Sequence, residues 1–199
     1  MTTSDVFIGL WKYFMKYDYP MVNSYIYNWE SDFFCISKAG YAYEVEVKSS
    51  YSDFKADFNK SDKYEILEAS KPFVKKIGWD LKHPIISNRR YGHGVKPLCD
   101  PCATSVAIIE PSKLKPNKFF YACPEDLISV DEIPEWAGLI YVTKREGDHL
   151  SIWRRYNAKI IKQPKFLHKV KSEKLKKVLL EKYMWSYKNK LNKEYFNFR

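Results

Sequence analysis

The segment from Tyr41 to Ser49 constrains this chain more than any other, because apolar and charged residues alternate through it with a period of two. Tyr41, Tyr43, Val45 and Val47 face one way, and Ala42, Glu44, Glu46 and Lys48 face the other. That is the pattern of a β-strand with one side in a core. Just upstream, Asp32 to Ser37 also reads as a strand, and the turn signal Ala39-Gly40 joins the two as a hairpin. The hairpin brings Asp32 beside Glu46 and Lys48.

Around this hairpin the chain reads as an α/β domain. Asp5 is the expected cap of a first helix carrying Phe7, Leu10, Trp11 and Phe14 at helical spacing, and Tyr19-Pro20 ends it. Tyr25 to Trp29 reads as a strand. Ser52 to about Glu68 reads as one helix, capped by Ser50 or Ser52 and bounded by Pro72. From 71 to 117 the pattern dissolves into Pro, Gly, Asn and Lys, with one apolar run at Ser105 to Ile109, as in an insertion or long loop. Lys118 to Cys123 reads as a strand, Pro124 to Leu127 as a short helical turn, and Gly138 to Thr143 and Leu150 to Arg154 as further strands. A final helix from Ser172 to about Lys188 carries Leu175, Val178, Leu179 and Tyr183 as an apolar stripe, with Lys on its other faces.

Length and composition fit this reading. A chain of 199 residues that is 45% hydrophobic can bury one full core, so a single domain over 1–199 is expected. No apolar run approaches the roughly 18 residues of a membrane helix. The start Met1-Thr2-Thr3-Ser4-Asp5 lacks the basic and apolar regions of a signal peptide, so the cytoplasm is the expected location. Four cysteines are too few and too scattered for a disulfide scaffold. His93, Cys99 and Cys102 raise a zinc site, but one Cys-x-x-Cys pair flanking a Pro-containing turn equally describes reduced thiols.

Charge is unevenly distributed. The region from Ser151 to Arg199 holds 15 Lys and Arg against 3 acids, more than the whole chain's net +10. The rest of the chain is close to neutral. This basic extension interleaves aromatics such as Trp153, Tyr183, Trp185 and Tyr187, as phosphate-contacting and base-stacking surfaces do. Lys169, Lys171, Lys174, Lys176 and Lys177 are the expected phosphate contacts, while the aromatics serve equally well as core.

The hairpin carries the candidate chemistry. Two carboxylates, Asp32 and Glu46, with the Val47 backbone carbonyl between them and Lys48, suit a hard cation such as Mg²⁺ (or Mn²⁺), which prefers oxygen ligands and keeps several waters. Such a cation lowers the pKa of its water, and the Lys48 ammonium can orient that water and offset charge on a phosphorane-like transition state. Glu and Lys alternating on a strand also describe the solvated face of a half-buried sheet with cross-strand ion pairs, and spacing alone leaves both readings open.

The stretch Trp29-Glu30-Ser31-Asp32-Phe33-Phe34 through Tyr43-Glu44-Val45-Glu46-Val47-Lys48-Ser49-Ser50-Tyr51-Ser52-Asp53-Phe54-Lys55-Ala56-Asp57 resembles the MmcB-like DNA repair proteins and related phage proteins of the PD-(D/E)XK nuclease superfamily. Downstream, Asn117 to Tyr121, Pro124 to Ile128 and Ala137 to Tyr141 are similar to that family's later strands. The resemblance implies a restriction endonuclease-like core: a central mixed sheet of about four or five strands flanked by helices, here with a basic C-terminal helix. It implies a Mg²⁺-dependent nuclease acting on DNA in repair or phage DNA metabolism, with Asp32, Glu46 and Lys48 catalytic and the metal on Asp32, Glu46 and the Val47 carbonyl. Glu44, Ser50, Asp53, Asp57 and Lys60 then stand behind the site, and Lys63 or Lys60 is in a position to reach a phosphate. Ser31 stands where the nominal motif has Pro, and the first helix offers only Asp5 and Asp18 near its ends, so Glu30 or Glu44 substitutes for the missing acid or the site binds one metal. A catalytically inactive DNA-binding module of the same fold is the alternative, and a partner-binding protein with a solvated Glu/Lys strand the third.

Overall fold

The structure, a computed structural model, describes residues 1–59, 61–69, 73–77, 105–109, 114–147, 151–171 and 173–195. Eight strands and five helices follow in chain order: α1 (Thr3–Phe14), β1 (Asp18–Tyr25), β2 (Glu30–Ile36), β3 (Ala42–Val47), α2 (Tyr51–Asp57), α3 (Ser61–Glu68), β4 (Phe73–Ile77), β5 (Ser105–Ile109), β6 (Lys118–Pro124), β7 (Gly138–Lys144), α4 (Ile152–Arg155), β8 (Tyr156–Lys162) and α5 (Glu173–Tyr195). The main sheet has six strands in the order β1-β2-β3-β6-β7-β8, more than the four or five expected from sequence, and β4 with β5 forms a separate two-stranded sheet. β3–β6 and β6–β7 are parallel and the outer pairs antiparallel, so the sheet is mixed as expected.

The β2–β3 hairpin forms as the sequence requires. Its three-residue loop closes through Ser37 N–H to Tyr41 O and Gly40 N–H to Ser37 O, both 2.8 Å. Gly40 supplies the left-handed residue, φ 86°, that such a loop needs. Period two then sorts the faces. Phe33, Cys35, Val45 and Val47 pack with Val6, Leu10 and Phe14 of α1 on one side. On the other side α2 and α3 cover β6 and β7 through Phe54, Tyr64 and Leu67 against Phe119, Tyr121 and Leu139, while α5 covers Met21, Phe34, Ile36 and Ala42 with Leu175 and Leu179. Each fully buried Phe or Leu contributes about 1.5–3 kcal/mol by leaving water.

Several expectations are corrected. Thr2, not Asp5, caps α1, and Asp5 closes the capping box by accepting from Thr2 N–H at 2.8 Å. The strand expected at Tyr25 to Trp29 lies earlier, at Asp18–Tyr25, where Pro20 is tolerated because β1 is a sheet edge. The single helix expected over 52–68 is two helices, with Ser50 the cap of α2 and Phe58 its C-cap. Pro124 ends β6 and a tight turn follows, with Asp126 at φ 60° in place of a helical turn. Of the strand expected at Leu150 to Arg154, Leu150 lies outside the described residues and the rest is not a strand: Ile152–Arg155 is a short helix and the strand follows it. The final helix runs to Tyr195, but of its expected stripe Leu179 is buried whereas Val178 and Tyr183 are exposed. Within the expected insertion, Phe73–Ile77 and Ser105–Ile109 pair as strands. His93, Cys99 and Cys102 lie outside the described residues, as does Lys60. Among the described residues, no helix is long and apolar enough to cross a membrane.

The start of the basic extension is tied to the centre of the sheet by Asn117, which is fully buried. Its Oδ1 accepts from Ala42 N–H at 2.8 Å, and its Nδ2 donates to the carbonyls of His168 and Val170, each at 2.9 Å.

The tightest backbone approach in the sheet is at Gly138, where a Cβ would sit 2.6 Å from Phe120 Cδ1 and 2.8 Å from the Lys162 carbonyl oxygen. A carbonyl fixed in a strand cannot retreat. Gly138→Ala is therefore expected to lower the unfolding free energy by about 1–3 kcal/mol, read as a lower urea midpoint at unchanged slope. An unchanged midpoint would refute the close approach of β8 to β7.

Candidate active site

Register places the expected site residues. Phe33 pairs with Val45 and Phe34 with Glu44, which puts Asp32 opposite Glu46, side chains on the same face. Asp32 is partly exposed, and its Oδ2 accepts the Val47 N–H at 2.8 Å. Glu30, two residues earlier at the start of β2, is exposed. Glu44, Glu46 and Lys48 are almost fully buried, at 0%, 4% and 2% exposure, so they are not a solvated strand face.

What covers them is α2 and α3, and these helices bring the counter-charges. Lys48 Nζ lies 3.0 Å from Glu46 Oε1, 3.2 Å from Asp57 Oδ1 and 3.8 Å from Asp53 Oδ1. Lys63 Nζ lies 2.6 Å from Glu46 Oε2 and 3.4 Å from Glu44 Oε1. Its ammonium also stands over the rings of Trp29 and Phe119, 5.6 and 5.0 Å from their centroids. Trp29 Nε1 donates to Glu44 Oε1 at 2.6 Å. Tyr64 donates its hydroxyl to Asp57 Oδ2 at 2.8 Å, which leaves Tyr121 to donate to the Tyr64 oxygen.

Sequence reasoning had Lys63 reaching a phosphate; the structure buries it between Glu44 and Glu46 instead. Ser50 serves as the α2 cap, its Oγ accepting from Asp53 N–H at 3.2 Å. Lys169, Lys171 and Lys177 are exposed on the extension and Lys176 is partly so, while the side chain of Lys174 lies outside those described. Trp29, Tyr64 and Tyr121 were not singled out from sequence. Tyr121 was findable, since a parallel partner strand puts it beside Glu46.

Electrostatics separate the carboxylates. Burial pushes Asp32 up to about 6, with the neighbouring Glu46 raising it further against the pull of the Val47 N–H, Lys48 and Lys63. Burial likewise pushes Glu44 up to about 7, opposed chiefly by Lys63 and the Trp29 hydrogen bond. For Lys63 burial alone would lower the ammonium, but Glu44 and Glu46 outweigh it and the net shift is upward.

The donor set fits a hard divalent cation. Asp32 and Glu46 are neighbouring carboxylates whose mutual repulsion a cation would relieve, and both are oxygen ligands. Among the described residues no three His, Cys, Asp or Glu side chains are arranged to hold a metal ion. A cation there would complete its shell from a backbone carbonyl and water, as Mg²⁺ commonly does. Because both Glu46 oxygens already meet ammonium groups, binding requires Lys48 or Lys63 to give way.

No protein-family model matches this sequence, and no curated protein is significantly similar to it. Among solved structures, a protein of unknown function from Silicibacter pomeroyi superposes with a TM-score of 0.51 at 13% identity, over 96% of this chain and 90% of that one. At that identity the likeness is one of fold. Fold and cluster together define a mixed-sheet α/β protein with helices on both faces and an acid–lysine network buried under a helix pair.

The raised Asp32 gives a signed expectation. A carboxyl whose folded pKa exceeds its unfolded 3.8 favours the fold below that value, and the benefit is lost as pH rises through about 6. Asp32→Asn keeps an acceptor for the Val47 N–H and removes the charge. The variant should be more stable than the parent at pH 7.5 by on the order of 1 kcal/mol after allowance for solvent screening. The gap should close towards pH 4. Paired urea titrations at the two pH values test this, and a variant less stable at pH 7.5 would contradict it.

Proposed function

We propose that this protein is a metal-dependent nuclease that hydrolyses DNA phosphodiester bonds, in repair or in phage DNA metabolism. The observation that carries the reading is Asp32 facing Glu46 across a hairpin, with Lys48 two residues on along the same face. The resemblance of residues 29–57 to PD-(D/E)XK proteins, which is carried by the same three residues, points the same way.

Asp32, Glu46 and the Val47 carbonyl would hold the cation. Bound there, it would lower the pKa of water and offset charge on phosphate oxygens. Asp32 must be ionised to take part, so its elevation in the metal-free protein makes protons compete with the cation for it. Lys48 is the group to orient the attacking water and balance the phosphorane charge. Its ammonium is engaged by Glu46 and Asp57, which fixes its position but requires it to exchange a carboxylate for the substrate. That burial favours a second reading, a DNA-binding module that keeps the fold without turnover.

Supercoiled, linear and single-stranded DNA with Mg²⁺, Mn²⁺ or EDTA discriminates the two readings. Cleavage should require the cation, and more of it at acid pH, where protons compete for Asp32. Asp32→Asn, Glu46→Gln and Lys48→Ala should each lose activity by about 10²-fold or more. The first two should also lose cation binding by calorimetry, whereas Lys48→Ala keeps it. Binding of DNA without metal-dependent cleavage by the parent would select the inactive module.

A further inference from the structure

β1 leaves one edge of the main sheet without a strand neighbour, and α5 runs beside that edge. Between them lies a groove of about 560 Å³, lined by Trp11 and Tyr25 on one wall and by Lys182, Tyr183, Trp185 and Tyr187 on the other. Trp11 packs against the core, but the other aromatics are open to solvent: Tyr25 is 61% exposed, Trp185 69% and Tyr187 56%. Lys190 adds a second cation, and among the described residues no Asp or Glu lines the groove. Rings that present their faces to water, interleaved with ammonium groups and free of acids, are the surface on which bases stack while phosphates meet lysine.

Position adds a second argument. Val22 pairs with Phe33 and Ser24 with Ser31, which brackets Asn23 opposite Asp32. Asn23 lines the groove. The backbone at the groove floor is thus one strand spacing, about 4.8 Å, from the backbone of Asp32, whose carboxylate reaches on towards β3. A peptide adding to the edge is the other conceivable occupant of such a site, but β1 is unsuited to strand addition. Pro20 removes a donor, Tyr19 and Asn23 have φ of 52° and 47°, and the register shifts between Asp18 and Met21.

We propose that the β1–α5 groove binds single-stranded nucleic acid and leads it to Asp32. This rests on the nuclease reading and names its substrate form: an unpaired strand, bases on Trp185 and Tyr187, backbone against Lys182.

Fluorescence anisotropy in EDTA, where no cation-dependent cleavage intervenes, measures this binding whether or not the protein proves to be a nuclease. The probes are fluorescein-labelled dT and rU 20-mers and a mixed-sequence duplex. Tight binding of either single strand supports the proposal, and their ratio tells DNA from RNA. Trp185→Ala with Tyr187→Ala, both exposed and checked for an unchanged urea midpoint, should weaken single-strand binding by about tenfold or more and duplex binding by less than about twofold. Lys182→Gln should flatten the salt slope for single strands by about 0.7. Unchanged single-strand affinity in the double variant overturns the proposal, as does an equal loss for both probe types. A parent dimer that the double variant lacks in sedimentation would also overturn it, by placing a second copy on the rings.

Discussion

Glu44 and Glu46 occupy a central strand under two helices, and neither could remain ionised there alone. Removing a carboxylate from water costs several kcal/mol even after relaxation, which only close, well-bonded counter-charges offset. Lys48 comes from the same strand, but Lys63 arrives only when α3 docks. Correct placement of α3 is therefore a condition of burying the strand face at all. Tyr64 and Tyr121 extend the condition, since the hydroxyl chain to Asp57 forms only with α3 against β6.

The same economy sets stability against chemistry. The ion pairs that make Glu46 tolerable as a buried group also occupy the oxygens a cation would use. Asp32 sits at the margin of the network, more exposed than its neighbours, its carboxyl raised to about 6 by burial and by Glu46 against the pull of Lys48 and Lys63. Residues carrying such strain are typical of working sites, although structural ion-pair networks produce it too.

Legibility in the sequence followed how local each signal was. The hairpin, α1, β6 and β7 are written in short-range periodicity and turn chemistry, and the opposition of Asp32 and Glu46 follows from a period of two across one turn. β1 was misplaced because Pro20 and the positive-φ residues Tyr19 and Asn23 look like a break, and only its edge position makes them acceptable. β8 was missed although Tyr156, Ala158 and Ile160 alternate with Asn157, Lys159 and Ile161, because the lysine-rich surroundings mask a seven-residue signal. The burial of Lys63 was beyond reach: seventeen residues separate it from Glu46, and only tertiary docking brings them to contact.

Asn117 carries a consequence for the order in which the molecule assembles. Its amide joins Ala42, 75 positions earlier, to His168 and Val170, more than 50 positions later. The β2–β3 hairpin and α1 can form as soon as they leave the ribosome, but β3 cannot gain its parallel neighbour until a loop of about seventy residues closes, and closure entropy grows with that length. The arm bearing α5 then lacks its buried polar tie to the sheet until the amide is in place. Folding should therefore be slow for a protein of this size, with the C-terminal helix seated last and the carboxylate-bearing strand transiently open to solvent on one side.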